Sequence, residues 1–160
     1  FGPSVADRNG KLSAELAAFG RPSVLADAAS AETWRRIRDL DALGAPSDAP
    51  VWRVSVRPSG GPEVARAVTA AFDARVLYDW GGGLVWIAGG TGAETEAGIV
   101  RAAARAAGGY ATLFRAADPV RLAVDVFDPP APGLADLTRR MKRTFDPAGI
   151  LNPGRMYAGV

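Results

Sequence analysis

The 160-residue sequence predicts an α+β domain, an antiparallel sheet with helices packed on one of its faces. Three observations carry this reading. Val51-Trp-Arg-Val-Ser-Val-Arg57 alternates apolar and polar side chains with the period of two that a half-buried strand requires. The breaks Ser59-Gly-Gly-Pro62 and Gly89-Gly90 each open onto an amphipathic helical pattern. From residue 51 to 115 the elements run β-α-β-β-α-β, the split βαβ or ferredoxin-like order.

The elements follow one by one. A helix around Ser4–Phe19 carries Val5, Leu12, Leu16 and Phe19, and a short strand is expected at Ser23–Ala26. A second helix starts at Ser30 with Trp34, Ile37 and Leu40 inward. The first helix has no strand before it to pack on, and the chain opens at Phe1-Gly-Pro, so an upstream strand is expected to be missing. Ala45-Pro-Ser-Asp-Ala-Pro50 reads as a linker. After the strand at Val51, a helix over Pro62–Phe72 turns Val64, Ala67, Val68, Ala71 and Phe72 to one face. Arg75–Trp80 and Leu84–Ala88 are strands flanking Gly81-Gly82-Gly83, a hairpin turn. Thr91 and Glu94 form a capping box for a helix to Ala107, which Gly108-Gly109 ends. Tyr110–Arg115 is a strand with Tyr110, Thr112 and Phe114 on one side. Val120–Phe127 reads as extended, stopped by Asp128-Pro129-Pro130. The last helix is Gly133–Phe145, with Leu134, Leu137, Met141 and Phe145 inward and its basic residues outward, closed by Asp146-Pro147.

Composition narrows the chemistry. At 48% hydrophobic and 22% charged, the chain suits one folded domain with a real core. It contains no cysteine, which removes disulfides, thiolate nucleophiles and protein-ligated iron–sulfur clusters from its own repertoire. Having no histidine, it offers no Ser-His-Asp triad, no imidazole metal ligand and no imidazole acid–base catalyst. Its strongest apolar run, Leu84-Val-Trp-Ile-Ala88, is far below the roughly 20 residues that span a bilayer, and residues 1–20 lack a secretory pattern. The preponderance of Ala and of Arg over Lys reads as coding bias. Net charge is +2, concentrated in Arg139, Arg140, Lys142, Arg143 and Arg155. These read as a solvated helix face, with an acidic partner surface as the alternative. No nucleic-acid partner is expected, because neither Leu84–Ala88 nor Tyr110–Arg115 carries paired stacking aromatics with a basic residue.

Local patterns offer little chemistry until the tail. Gly90-Thr-Gly92 lacks phosphate-loop spacing, and Glu94 and Glu96 behind it would repel phosphate, so a capped turn is the better reading. Asp39 with Asp41, and Asp125 with Asp128, read as turn residues rather than paired catalytic carboxylates. Trp52 and Trp86 are assigned to the sheet–helix core, while Trp80 beside the glycine turn is expected to be partly exposed. The stretch Phe145-Asp-Pro-Ala-Gly-Ile-Leu-Asn-Pro-Gly-Arg155 fixes a backbone path with two prolines and two glycines and few hydrophobic residues. Such a shaped tail makes sense if it meets a ligand or another domain.

That tail resembles the C-terminus of FAD-linked oxidases of the vanillyl-alcohol oxidase type, whose last helix is followed by Phe-Asp-Pro-x-Gly-x-x-Asn-Pro-Gly-Lys/Arg. With Val51–Val56, Tyr78–Trp86 and Gly108–Arg115, most of the chain is similar to the E-subunit family of bacterial glycolate oxidases. The resemblance implies a single cap domain over 1–160: a partial αβα unit at 1–50, a βαββαβ core at 51–115, and a C-terminal helix and tail at 116–160. It implies that the N-terminal FAD-binding domain is absent, and that FAD belongs to the full-length subunit rather than being retained by this fragment. Asn152, Pro153, Gly154 and Arg155 would lie on the flavin side, Asn152 as a hydrogen-bonding residue. The implied partners are the hydroxy-acid-oxidising D subunit and the iron–sulfur F subunit, and the implied location is cytoplasmic, with membrane association only through the complex. Catalytic relatives that oxidise D-2-hydroxy acids carry cap-domain histidines; this chain has none, which implies an accessory flavin subunit, inert as a fragment. The competing reading is a small-molecule-sensing or protein-interaction module without a redox role, since the fold alone fixes no function.

Overall fold

A computed structural model describes residues 3–91 and 94–157, arranged as two compact units, Phe1–Ala42 and Leu43–Val160. The opening Phe1-Gly2 and the Gly92 of the glycine turn lie outside the described residues.

The first unit contains helices α1 (Pro3–Leu16) and α2 (Asp27–Arg38). The stretch Ser23–Ala26 forms no strand, because this unit offers no other strand to complete a ladder. Helix α2 starts three residues before Ser30: Ala28 and Ala29 are strong helix formers, and Asp27 places a negative charge in the first turn. Arg35 braces the helix by pairing with Glu32 (2.7 Å) and Asp39 (3.2 Å), one turn away on either side. Trp34 and Ile37, expected inward, are exposed, and only Leu40 is partly buried.

The second unit is built on β1 (Val51–Ser55), α3 (Gly61–Ala71), β2 (Ala74–Asp79), β3 (Leu84–Gly89), α4 (Glu94–Ala106) and β4 (Tyr110–Arg115). The four strands pair antiparallel in the order β2-β3-β1-β4, with α3 and α4 packed side by side, so the expected α+β, ferredoxin-like sheet is present. The core between sheet and helices comprises Trp52 and Val54 of β1, Val85 and Ile87 of β3, Ala111 and Leu113 of β4, Val64 and Val68 of α3, and Val100 and Ala104 of α4. On α3 the buried alanine is Ala65, whereas Ala67 and Ala71 face solvent and Phe72 is partly buried. Gly109 is required where the chain enters β4: a Cβ there would stand 2.0 Å from the Ser55 carbonyl oxygen.

Other differences from expectation have local causes. At α4 the carboxylate reaching back to Thr91 is that of Glu96, which accepts from the Thr91 amide at 2.8 Å, rather than that of Glu94. Val120–Ala123 is helical, as part of α5 (Asp118–Ala123): Pro119 in the first turn favours a helix start, and the residue that follows the helix, Val124, is extended (φ −123°, ψ 129°), with no strand formed over 124–127. Trp86 lies on the sheet face opposite α3 and α4, since its neighbours Val85 and Ile87 take the core side. Leu43–Pro50 is a strap rather than a loose linker. Arg75 of β2 bonds to the Gly44 carbonyl, and Arg115 of β4 bonds to that of Pro46 at 3.0 Å.

Helix α6 (Pro132–Phe145) ends the regular structure. Leu134, Leu137, Met141 and Phe145 share one face as expected, but all are exposed, Phe145 at 79%. The tail folds back on the helix end through Asp146, whose residue is only 7% exposed. Its carboxylate pairs with Lys142 at 2.7 Å and accepts from the amides of Ile150 (3.1 Å) and Leu151 (2.9 Å). The Lys142 hydrogen bond, then the Leu151 amide, hold its pKa down to about 2 against the opposing effect of burial.

Two outcomes follow. Ile87→Ala, which opens a cavity in the middle of the core, is expected to cost about 2–5 kcal/mol in denaturant unfolding, while Leu122→Ala, at a side chain 89% exposed, stays within about 0.5 kcal/mol. Because the Asp146 pKa is lowered on folding, the tail clasp is fully formed above about pH 4 and is lost as pH falls towards 2. Hydrogen-exchange protection of the Ile150 and Leu151 amides is expected to disappear across that window, and to be missing near neutrality in Asp146→Asn. Unchanged protection in both cases would contradict the clasp.

Candidate functional site

The sheet has a second face, away from α3 and α4, made by alternate residues of each strand. In register across it lie Leu77, Trp86, Arg53 and Thr112, from β2, β3, β1 and β4 in turn. Tyr110 and Phe114 of β4 share this face, so the alternation visible in the sequence marks the outward side of the strand. Phe114 falls at a register shift in the β1–β4 pairing, where an extra residue on one strand re-aims a side chain. Its ring stands edge-on to Trp86, with centroids 5.1 Å apart.

A cleft of about 870 Å³ opens on this face. Arg53, Tyr110, Thr112 and Phe114 form its floor, and Phe127, Pro129, Leu134, Met156 and Tyr157 stand along its other side. The segment carrying Phe127 is fixed from below. The Leu113 amide donates to the Val126 carbonyl at 2.8 Å, Arg101 of α4 donates to the carbonyls of Asp125 and Phe127, and Arg105 pairs with Asp128. Arg101 also lies over the Trp52 ring at 5.6 Å, which couples this segment to the core. Tyr157 meets Phe127 edge-on at 6.2 Å, so the tail reaches the cleft at this residue.

Asn152, Pro153, Gly154 and Arg155 immediately precede Met156 of the cleft wall, and all four are exposed. Asn152 and Gly154 have positive φ (47° and 68°), and the Arg155 amide closes the turn on the Asn152 carbonyl at 3.2 Å. Asparagine and glycine are the residues that tolerate this backbone. Among the described residues the Asn152 side chain has no hydrogen-bond partner, leaving both its donor and acceptor free to meet a ligand. The Asp146 clasp, six residues earlier in the chain, holds the turn's leading strand of backbone.

The donor set suits the ring end of a flavin better than its phosphates. The Tyr110 and Phe114 rings of the cleft and the Asn152 carboxamide of the tail, which has no partner among the described residues, are groups that could meet a planar heterocycle with hydrogen-bonding edges. The turn at Gly90, by contrast, is filled by an acid: a Cβ on Gly90 would meet Glu96 Oε2 at 2.6 Å, and that carboxylate already takes the Thr91 amide. Phosphate oxygens would be repelled there.

The sequence brought the Asn152 turn into view but missed Arg53, Trp86 and Tyr157. The same-side spacing of Tyr110, Thr112 and Phe114 was the available signal, and it became informative only once register placed Arg53 beside Thr112.

Among the described residues no helix is long and apolar enough to cross a membrane. Residues 131–156, which are α6 and the tail, match the family described as FAD linked oxidases, C-terminal domain. The chain is 32% identical over 125 residues to the glycolate oxidase subunit GlcE of Escherichia coli (strain K12), covering 78% of this chain and 31% of that protein. It therefore spans about a third of the length of the curated relative it matches. No solved structure matches. The match to the tail falls on the segment that borders the cleft, and the likeness to GlcE extends over most of the sequence: the chain belongs to the FAD-linked oxidases and carries their C-terminal domain.

Proposed function

We propose that this chain is the cap of an accessory, FAD-binding subunit of a glycolate oxidase, which acts in the oxidation of glycolate, the simplest 2-hydroxy acid, to glyoxylate. The observation that supports the reading is the family-matched tail, whose positive-φ turn at Asn152–Gly154 leads directly into Met156 and Tyr157 on the wall of an aromatic cleft. The exposed apolar face of α6, with Ile150 and Leu151 of the tail also exposed, supports it, because such a surface calls for a covering partner. That surface lies within the family-matched segment, so a flavin-bearing domain of the same subunit is the proposed cover. A D-type hydroxy-acid-oxidising subunit and an F-type iron–sulfur subunit are the proposed partners, in line with the likeness to a glycolate oxidase subunit.

In this arrangement the flavin, when bound, supplies a two-electron acceptor. Asn152 would hydrogen-bond a polar edge of the ring, with Pro153 and Gly154 fixing its approach and Arg155 adding positive charge beside it. Tyr110 and Phe114 would exclude water from the ring's neighbourhood. With no histidine or cysteine in the chain, imidazole and thiolate chemistry would come from partner subunits.

The test compares this 160-residue chain with the longest natural protein that contains it. The expected result is visible flavin absorbance near one FAD per molecule in the longer protein, no retained flavin in the chain alone, and no glycolate oxidation by the chain alone. Stoichiometric FAD on the chain, or turnover by it, would overturn the cap assignment.

A further inference from the structure

We propose that the outer edge of β2 pairs with the same strand of a second copy of this chain, joining the two sheets into one across a two-fold axis. β2 ends the strand order β2-β3-β1-β4, so one of its edges meets no other strand. The opposite edge strand, β4, is partly covered, since the Leu113 amide donates to the Val126 carbonyl at 2.8 Å. β2 lacks the usual protection of a free edge. It runs six residues, Ala74–Asp79, in unbroken register with β3, without proline, lysine or bulge.

Hydrogen bonds alternate sides along an antiparallel strand, which determines the backbone groups that this edge presents. The Val56 amide donates to the Gly83 carbonyl at 2.9 Å and the Gly89 amide to that of Pro50 at 3.3 Å, so odd-numbered residues of β3 bond to β1. The even-numbered Leu84, Trp86 and Ala88 therefore bond to β2, opposite Asp79, Leu77 and Arg75. The Gly90 amide, donating to the Asp73 carbonyl at 3.2 Å, continues the pattern. The amides and carbonyls of Ala74, Val76 and Tyr78 are left pointing out of the sheet, with no partner among the described residues.

The side chains select the occupant. Opposed residues of paired strands share a face, with Cβ atoms about 5 Å apart. Centring the new pair on Leu77 sets Leu77 against Leu77 of the second copy and Val76 against its Tyr78. It also sets Arg75 against Asp79 of the copy, and Asp79 against its Arg75. The outward groups of Val76 and Tyr78 then exchange hydrogen bonds across the axis. Moving the centre to Val76 would instead oppose Asp79 to Asp73 and leave Arg75 against Leu77. A strand reading Arg-x-Leu-x-Asp over 75–79 is complementary to itself in reverse, as a two-fold interface requires. Both charges retain capacity for the pairing. Arg75 reaches the Gly44 carbonyl through Nη1 alone, and Asp79 takes the Trp80 amide on Oδ1 alone. Tyr78 is 47% exposed, so its ring is available to the copy.

Sedimentation velocity of the folded chain, from micromolar to near-millimolar concentration, is expected to show a monomer–dimer equilibrium. Over the same range hydrogen exchange at the Val76 and Tyr78 amides is expected to slow, while the Leu77 amide, already bonded to β3, does not change. Arg75→Asp and Asp79→Arg each place like charges at both symmetric pairs and are expected to weaken dimerisation at least about tenfold, and the two combined to restore it. Tyr78→Pro removes one outward amide while leaving the bonds to β3, and is expected to give a folded monomer by circular dichroism. If the proline variant does not fold, the charge exchange still decides. A monomer at every concentration, a dimer indifferent to the single reversals, a double variant that does not recover, or unchanged exchange at Val76 and Tyr78 in the dimer would overturn the proposal.

Discussion

A sheet has two faces, and α3 and α4 pack on only one face of this one. Helices α3 and α4 bury Trp52, Val54, Val85 and Ile87 on one side, while Leu84, Trp86, Ala88 and Val51 on the other are just as thoroughly removed from water. At about 25 cal/mol per Å² of apolar surface, leaving those side chains wet would cost several kcal/mol in a domain of this size. The irregular segments of the second unit answer to that constraint. The strap of residues 43–50, held by arginines from the two edge strands, closes one end of the face. The segment around Val126 and Phe127, held by Arg101 and Arg105, builds up the β4 side. Between them remains the cleft with Arg53, Tyr110 and Phe114 in its floor.

The C-terminal helix and tail repeat the theme at a larger scale. Helix α6 has a segregated apolar face that stays exposed, next to a tail whose path is dictated by one carboxylate. Asp146 gathers Lys142 and two amides, so the ensuing Asn152 turn is presented rather than left to wander. A shaped turn and an unsatisfied apolar surface on the same short segment are what a domain needs when another body must settle against it. That is the physical content behind assigning this chain to the cap of an oxidase subunit rather than to a free-standing module.

Much of the fold was legible because periodicity reports it. The alternation of Trp52, Val54 and Val56 with Arg53, Ser55 and Arg57 and the glycine breaks located β1, the hairpin and both core helices. Where periodicity was silent, the reading slipped. Leu84-Val-Trp-Ile-Ala88 is apolar at every position, so nothing in the sequence says which face Trp86 takes, and pairing with β1 decides it. On α3 alanines carry too weak a hydrophobic signal to separate Ala65 from Ala67. The Asn152 turn was visible in its proline and glycine spacing, since backbone constraint is written locally. The place of Arg53 in the cleft floor was not, because only the register of the strands supplies it.

The central claim is that the Asn152 turn and the uncovered sheet face stand against a flavin ring. The most direct measurement is the midpoint potential and visible spectrum of the flavin in the longest natural protein containing this chain, with and without Asn152→Asp. A carboxylate at a ring edge opposes the added negative charge of reduction, so the variant is expected to show a lower potential and a displaced absorbance maximum at unchanged flavin content. A variant whose flavin keeps both the potential and the spectrum of the unsubstituted protein would contradict the claim.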